Sequence, residues 1–121
     1  MNNVITTTSS FGIKDFPEGL NVINNPYKRR LTEDEVMGLI EKYQPVGMVA
    51  GVEPLTRKVL EKAQNLKIIS RCGVGTDSVD LEAAKELGIK VEITPDAPVV
   101  SVAELTLSLI LALLRRINTL D

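Results

Sequence analysis

The residues from Arg71 to Asp77 carry the strongest chemical signal in the sequence. They read Arg-Cys-Gly-Val-Gly-Thr-Asp and follow an apolar run typical of a buried strand. Glycines allow close approach to a bound group and turn backbone N–H groups toward an anion, and parallel sheets bind ligands beyond the carboxyl ends of their strands. The block predicts either a small-anion site or a tight strand-to-helix turn, and its spacing alone does not separate the two.

Gly73 and Gly75 also share the first spacing of the dinucleotide fingerprint G-x-G-x-x-G. The third glycine of the fingerprint would fall at position 78, where this sequence has Ser78. Asp77 and Asp80 would also put carboxylates at a helix start where a pyrophosphate needs positive potential. The residues therefore disfavour a nicotinamide dinucleotide at this turn, and we expect any anion bound there to be small.

Other reactive side chains have structural explanations. Cys72 has no base partner visible in the sequence, so we expect a small buried residue rather than a nucleophile. Glu104 forms a capping box with Ser101. The basic cluster at residues 28–30 could hold a phosphate, but such clusters before helices are usually solvated. Arg71, which adjoins the glycines, is the better anion ligand.

The composition narrows the function classes. Histidine is absent, so an imidazole acting as general base or metal ligand would have to come from residues outside these, and we expect no metal site. The net charge of −2 gives no field to attract nucleic acid or an anionic membrane. One cysteine excludes an intrachain disulfide and fits the cytoplasm. The polar first ten residues do not resemble a secretory signal.

Short β-type runs alternate with helical patterns, which predicts a parallel sheet covered by helices. Thr32 and Glu35 form a capping box before a helix that runs to Tyr43. Further helices are predicted from Pro54 to Asn65, with Pro54 in the first turn, and from the N-cap Asp80 through Leu87, ended by Gly88 in the left-handed region. The five predicted strands are Val4–Thr7, Leu20–Ile23, Val46–Ala50, Leu66–Arg71 and Lys90–Ile93.

The last predicted helix, Val102–Arg116, is apolar on all sides, so it has no single polar face and must be buried. It is shorter than the roughly 20 apolar residues that a bilayer span needs. We expect it to lie between domains or subunits, and to promote association of chains as a homodimer.

Several motifs, in this order, resemble the D-isomer-specific 2-hydroxyacid dehydrogenases, especially the phosphoglycerate dehydrogenase branch. The blocks that carry the resemblance are Asn25–Glu35, Gly51–Thr56, Leu66–Asp80, Gly88–Val91, Thr94–Pro95 and Val102–Glu104, with the leucine-rich helix that ends at Arg115.

The resemblance implies a flavodoxin-like, doubly wound parallel sheet at residues 1–100 that binds substrate but lacks its usual C-terminal return segment. Residues 101–121 would form an interdomain helix leading to a Rossmann NAD domain. Backbone N–H groups of Val74 and Gly75 would bind the substrate carboxylate, within a site formed by Arg71, Cys72, Gly73, Val74 and Gly75. Pro98 and Val102 would lie near the nicotinamide. Pro98 stands where family members often carry Asn, and proline offers neither an amide side chain nor a backbone N–H.

The resemblance also places the family's catalytic Arg, Glu and His, and its NAD fingerprint, after these residues. We therefore expect the chain alone to be inactive. The parent protein would oxidise a small anionic 2-hydroxyacid, or reduce the 2-oxoacid, with NAD; 3-phosphoglycerate is one candidate.

A free-standing flavodoxin-like module that binds a small anion or regulates another protein is the alternative. Receiver domains of this kind need acidic residues after the first strand and an aspartate after the third. Here those places read Thr6-Thr7-Thr8-Ser9 and Ala50-Gly51-Val52, which disfavours a receiver.

Overall fold

The computed structural model describes residues 2–8, 18–72, 78–94, 107–108 and 110–112. Five strands form one parallel sheet in the order β2-β1-β3-β4-β5. This is the flavodoxin-like order, in which the direction of winding reverses between β1 and β3. The predicted five-stranded parallel sheet is therefore confirmed. The strands are β1 (Asn2–Thr6), β2 (Leu20–Asn24), β3 (Gly47–Ala50), β4 (Ile68–Cys72) and β5 (Lys90–Thr94).

Alternating side chains divide the apolar residues between the two faces of the sheet. On β1, Ile5 joins the larger core, which α1, α2 and α3 help to form, while Val4 joins a smaller core on the other face. On β3, Met48 and Val49 divide in the same way. The three helices are α1 (Glu33–Tyr43), α2 (Arg57–Lys62) and α3 (Leu81–Glu86).

The predicted helix starts of α1 and α3 are confirmed by their caps. The Thr32 side chain accepts a hydrogen bond from the Glu35 backbone N–H at 3.2 Å, and the Glu35 carboxylate accepts from the Thr32 N–H at 3.0 Å. Asp80 Oδ1 accepts from the Ala83 N–H at 2.9 Å. After α3, Gly88 has the predicted positive φ, at 75°.

The predicted start of α2 at Pro54 is wrong. Thr56 is the N-cap, its side chain accepting from the Val59 N–H, and the helix begins at Arg57 and ends at Lys62. Leu55 instead forms a parallel bridge with Val79. The Leu55 N–H and carbonyl are hydrogen-bonded to the backbone of residues 78 and 80 in this bridge, so they are not available to a helix that begins at Pro54.

Residues 107–108 and 110–112 are helical, and the rest of the predicted final helix lies outside the described residues. Leu107 and Ile110 are buried against the second face of the sheet, whereas Ser108 and Ala112 are exposed. In this part of the helix, burial against the sheet is therefore confined to one side. Among the described residues, no helix has the length and apolar character needed to cross a membrane.

Candidate functional site

Buried polar side chains gather at the carboxyl edge of the sheet. Thr7 follows β1, Asn25 follows β2, Glu53 lies three residues beyond β3, and Arg71 is the penultimate residue of β4. Each of the four is at most 9% exposed. In open α/β sheets, ligands bind outside the carboxyl ends of the strands where the winding direction reverses, which here is between β1 and β3. This edge is the candidate site.

Thr7 and Glu53 bridge that reversal point. The Thr7 N–H donates to the Val49 carbonyl at 2.9 Å and so continues the β1–β3 ladder past Thr6. Its hydroxyl donates to Glu53 Oε2 at 2.6 Å. The Gly51 N–H donates to both carboxylate oxygens, at 3.0 and 3.2 Å. The carboxylate is therefore fixed from both strands.

Gly51 allows the two strand ends to approach each other. A Cβ at this position would lie 2.9 Å from the Thr8 Cα, a backbone atom that cannot move aside without shifting the strand end. The same Cβ would lie 3.3 Å from Glu53 Oε1. A glycine is needed here because the Thr8 backbone, with the Glu53 carboxylate beside it, occupies the space that a Cβ would fill.

Burial raises the pKa of the Glu53 carboxyl group, because removal from water penalises the charged form. The Thr7 hydroxyl, the backbone N–H groups of Glu53 and Gly51, and the positive charge of Arg71 act in the opposite direction. Desolvation is the largest of these effects. Glu53 is thus a buried carboxyl group near a cation, with its protonation set by both.

Arg71 belongs to a row of three residues across the sheet. Ala50 pairs with Arg71 between β3 and β4. The β1–β3 register, continued by one residue from the Thr6–Val49 pair, puts Thr7 beside Ala50. The small Ala50 side chain leaves space between its neighbours, and Glu53 interacts with both of them. The Glu53 carboxylate therefore accepts a hydrogen bond at the Thr7 end of this row and interacts electrostatically with Arg71 at the other end.

Asn25 attaches the loop after β2 to the same edge. Its Nδ2 donates to the Thr7 carbonyl at 3.0 Å and to the Arg29 carbonyl at 2.8 Å, while its Oδ1 accepts from the N–H of Tyr27 at 2.8 Å. The Arg29 guanidinium forms a bidentate pair with Glu35 on α1, with its shorter contact at 2.7 Å. Within the basic cluster at residues 28–30, Arg29 therefore stabilises the first turn of α1.

The segment after β3 is also bonded to the segment before α3. The Leu55 N–H donates to the Ser78 carbonyl at 2.7 Å, and the Asp80 N–H donates to the Leu55 carbonyl at 3.0 Å. The glycine loop at residues 73–77 lies outside the described residues, but its following residue is thus fixed beside the Glu53 segment. The Asp80 carboxylate caps α3, so this helix start carries a negative charge where a pyrophosphate would need positive potential.

Comparison with known proteins identifies the family. The profile of the family described as D-isomer specific 2-hydroxyacid dehydrogenase, catalytic domain, matches residues 12–119. The chain belongs to this family. It is 47% identical over 87 residues to a D-3-phosphoglycerate dehydrogenase of Methanocaldococcus jannaschii and 45% identical over 87 residues to a hydroxypyruvate reductase of Thermotoga maritima. Each match covers 72% of this chain, but only 16% and 28% of those proteins.

A solved structure shows the same fold. It is a 3-phosphoglycerate dehydrogenase of Entamoeba histolytica with NAD+ bound, which matches with a TM-score of 0.59 and 22% identity over 78% of this chain and 33% of that one. At this identity the likeness concerns the fold alone. The chain therefore spans about a third or less of the length of these hydroxyacid dehydrogenase relatives.

The structure describes two of the residues predicted to bind ligands. Arg71 lies buried at the carboxyl edge and Cys72 ends β4, although the Cys72 side chain is not described. The remaining predicted residues, Gly73, Val74, Gly75, Pro98 and Val102, lie outside the described residues.

Thr7, Asn25 and Glu53 were missed as site residues in the sequence. Their signal was available, because each is a polar residue after an apolar strand. In this fold, the ends of β1 and β3 adjoin the winding reversal. Glu53 lies within the Gly51–Thr56 block of the family resemblance, which assigns it no role.

Proposed function

We propose that this chain supplies the substrate-binding side of a D-2-hydroxyacid dehydrogenase. The observation that carries the proposal is the group of buried polar residues at the carboxyl edge, where Thr7 is hydrogen-bonded to Glu53 and the buried cation Arg71 ends the neighbouring strand, in a domain of this family. Arg71 lies two residues before Gly73 in the sequence. The Thr7–Glu53 hydrogen bond joins the ends of β1 and β3 beside it.

The ligand proposed for this edge is a small anionic 2-hydroxyacid or 2-oxoacid. Its carboxylate would bind at Arg71, Cys72, Gly73, Val74 and Gly75, with the N–H groups of Val74 and Gly75 as principal donors. The names of two relatives, D-3-phosphoglycerate dehydrogenase and hydroxypyruvate reductase, are consistent with this ligand class. D-3-phosphoglycerate is one candidate within it.

The proposed reaction is oxidation of the substrate CH–OH group with NAD as hydride acceptor. NAD would be bound mainly by residues outside this chain, with Pro98 and Val102 near the nicotinamide. The catalytic Arg, Glu and His would also come from outside, so the chain alone would be inactive. Support comes from the family and from the absence of histidine in the 121 residues.

Binding to the isolated chain tests the ligand assignment. Calorimetric titration with D-glycerate and with oxalate should show binding, while NADH should not bind. Gly75→Pro removes one proposed N–H donor and should abolish carboxylate binding. Gly38→Ala is the control, because Gly38 is exposed on α1 with open space around it. Anion binding that survives Gly75→Pro would contradict the assignment of the carboxylate to this N–H group, and tight NADH binding would contradict the proposal.

A chimera tests the activity. The segment of the Thermotoga maritima hydroxypyruvate reductase that matches this chain would be replaced by the corresponding residues of the chain. NADH oxidation by the chimera in the presence of hydroxypyruvate supports the proposal. A folded chimera without activity would contradict it.

The proposed assembly is a cytoplasmic homodimer formed through the final helix. Leu107 and Ile110 already pack within the chain, so the contacts between subunits would use other faces of the helix. Light scattering at several concentrations should show a dimer, and a monomer at high concentration would contradict this assembly.

A further inference from the structure

The strand β5 forms an open edge of the sheet. It is the last strand in the order β2-β1-β3-β4-β5, and within the described part of the chain no segment pairs with its outer side. The Lys90 N–H donates to the Lys67 carbonyl at 2.9 Å, so Lys90 directs its backbone groups toward β4. Because successive residues of a strand direct these groups to opposite sides, Val91 and Ile93 direct theirs away from the sheet. The outer side of β5 therefore offers donors and acceptors to a further strand.

The two faces of β5 carry different side chains. Val91 packs against the larger core, on the face that the three helices cover, and Ile93 shares that face but is 38% exposed. Lys90 and Glu92 lie on the opposite face, where they form an ion pair at 3.2 Å with exposed fractions of 55% and 40%. Edge strands often carry lysine, because charges of one sign repel another copy of the strand. Here one cation and one anion lie two positions apart, so the edge is not protected in this way.

A second copy of the chain fits this edge in one register. When two β5 strands pair in antiparallel fashion about a two-fold axis at Val91, the two Val91 residues exchange backbone hydrogen bonds. Lys90 of each copy then lies opposite Glu92 of the other, in a non-hydrogen-bonded pair whose side chains are close together. An axis at Lys90 or at Glu92 would instead place like charges opposite each other. An axis at Ile93 would place Val91 opposite Pro95, which has no N–H to donate.

The same register covers the exposed apolar side chain of β5. Ile93 of each copy lies opposite Ile89 of the other, and the two Val91 side chains adjoin each other across the axis. The Ile89 N–H already donates to the Ala84 carbonyl at 2.8 Å, so its carbonyl alone is left to accept from Ile93 of the second copy. Opposite charges on one face and apolar side chains on the other therefore favour the same alignment.

We propose that the chain self-associates through β5, so that two five-stranded sheets join into one and Lys90 pairs with Glu92 across a two-fold axis. This surface is separate from the final helical segment, which packs beside Gly47 on β3, two strands away from β5. It also uses no residue of the carboxyl-edge site. The association therefore does not depend on the proposed substrate.

Exchanging the two charges tests the register. Glu92→Lys and Lys90→Glu each place like charges opposite each other across the axis. Each variant should therefore self-associate about tenfold more weakly than the parent, since two favourable cross-strand pairs become unfavourable. A mixture of the two variants should form heterodimers, because their charges are then complementary. The matched control is the double variant Lys90→Glu/Glu92→Lys, which restores opposite charges across the axis and should associate as the parent does. Sedimentation equilibrium at several concentrations measures all of these affinities.

Val91→Pro tests the backbone pairing. Proline removes the N–H that faces the second copy, whereas the hydrogen bonds between β4 and β5 do not use this group. The variant should therefore stay folded, as urea unfolding can check, and should lose self-association. Val22→Pro is the matched control on β2, the other edge strand. The Asn2 N–H donates to the Gly19 carbonyl, so by the same alternation Val22 directs its backbone groups away from β1. This change should leave the association unaltered.

Hydrogen exchange at the Val91 amide distinguishes a second copy from any other occupant of the edge. Its protection in the parent chain should increase with chain concentration, as the dimer forms. Full protection at a dilution where the chain is monomeric would show that another segment of the same chain covers β5, and would overturn the inference. A dimer whose affinity is unaltered by Glu92→Lys and Val91→Pro would be formed through another surface, such as the final helix, and would overturn it too. A parent chain that stays monomeric at millimolar concentration would have the same consequence.

Discussion

Ile110 of the final helical segment packs directly against the Cα of Gly47 at the start of β3. A Cβ on Gly47 would lie 2.8 Å from Ile110 Cγ1 and closer still to its Cδ1. The same hypothetical atom would lie 3.4 Å from Ile68 Cγ2. A glycine on this strand therefore permits the helix to approach the sheet closely, and the two residues form one packing unit.

Gly47→Ala and Ile110→Val should each destabilise the chain but compensate when combined. Gly47→Ala overpacks the contact and should lower the free energy of unfolding by about 1–3 kcal/mol. Ile110→Val removes a buried methyl group and should lower it by about 0.5–1.5 kcal/mol. Because valine lacks the Cδ1 that the new methyl meets, the double variant should be more stable than the sum predicts. Urea unfolding of the four chains measures this coupling, and simple additivity would show that the contact is absent in solution.

Two glycine substitutions should have opposite effects on stability. Gly88 has a φ of +75°, so Gly88→Ala should cost about 1 kcal/mol or more. Gly38 lies exposed within α1, where a Cβ meets open space. Gly38→Ala should therefore stabilise by about 0.5–1 kcal/mol. Chemical unfolding measures both, and equal shifts in the same direction would contradict the assigned conformations.

Most of the fold could be predicted from local sequence patterns, because the strands and two of the helix starts each have a characteristic local sequence. Apolar runs of β-type gave five strands to within two residues at each end, and the Thr32 and Asp80 caps gave two helix starts. Pro54 misled because a proline fits both the first turn of a helix and an extended segment. What decided between them was the Leu55–Val79 pairing, a contact between distant residues that no local pattern contains.

The candidate site was harder to predict from the sequence, because its residues are brought together only by the order of the strands in the sheet. Arg71 was predicted from its neighbouring glycines. Glu53 lies 46 residues from Thr7 in the chain, and nothing in either local sequence points to the other. Only the adjacency of β1 and β3 brings these two polar residues together as a hydrogen-bonded pair at the carboxyl edge of the sheet.

Acid should weaken the start of α1 through Glu35. Hydrogen bonds from the Arg29 guanidinium, and then from the Thr32 backbone N–H, lower the Glu35 pKa to about 2. Since the folded pKa lies below the unfolded value of about 4.3, this stabilisation is fully present above that value and is lost as pH falls toward about 2. NMR titration of the Glu35 carboxyl carbon checks the shift.

The variant Glu35→Gln tests how much the Glu35 carboxylate contributes to the stability of the fold. The variant should be less stable than the parent chain at neutral pH, and the difference should shrink as pH falls toward the folded pKa of Glu35. Glu41→Gln lies on the same helix but outside the capping box, and it should retain the parent's loss of stability in acid. If Glu35→Gln loses stability in acid as steeply as the parent, the contribution comes from another group.

Glu53→Ala should destabilise the chain more than Glu53→Gln. Alanine removes the carboxylate that accepts from the buried Thr7 hydroxyl and from the half-buried Gly51 N–H, at a cost of about 1–3 kcal/mol. Glutamine keeps one accepting oxygen. Because burial raises the pKa of Glu53, ionisation should cost the parent chain stability as pH rises through that pKa. Glu53→Gln should lack this loss. Urea unfolding from mildly acidic to mildly alkaline pH measures both effects, and a parallel decline in the two chains would place the titrating group elsewhere.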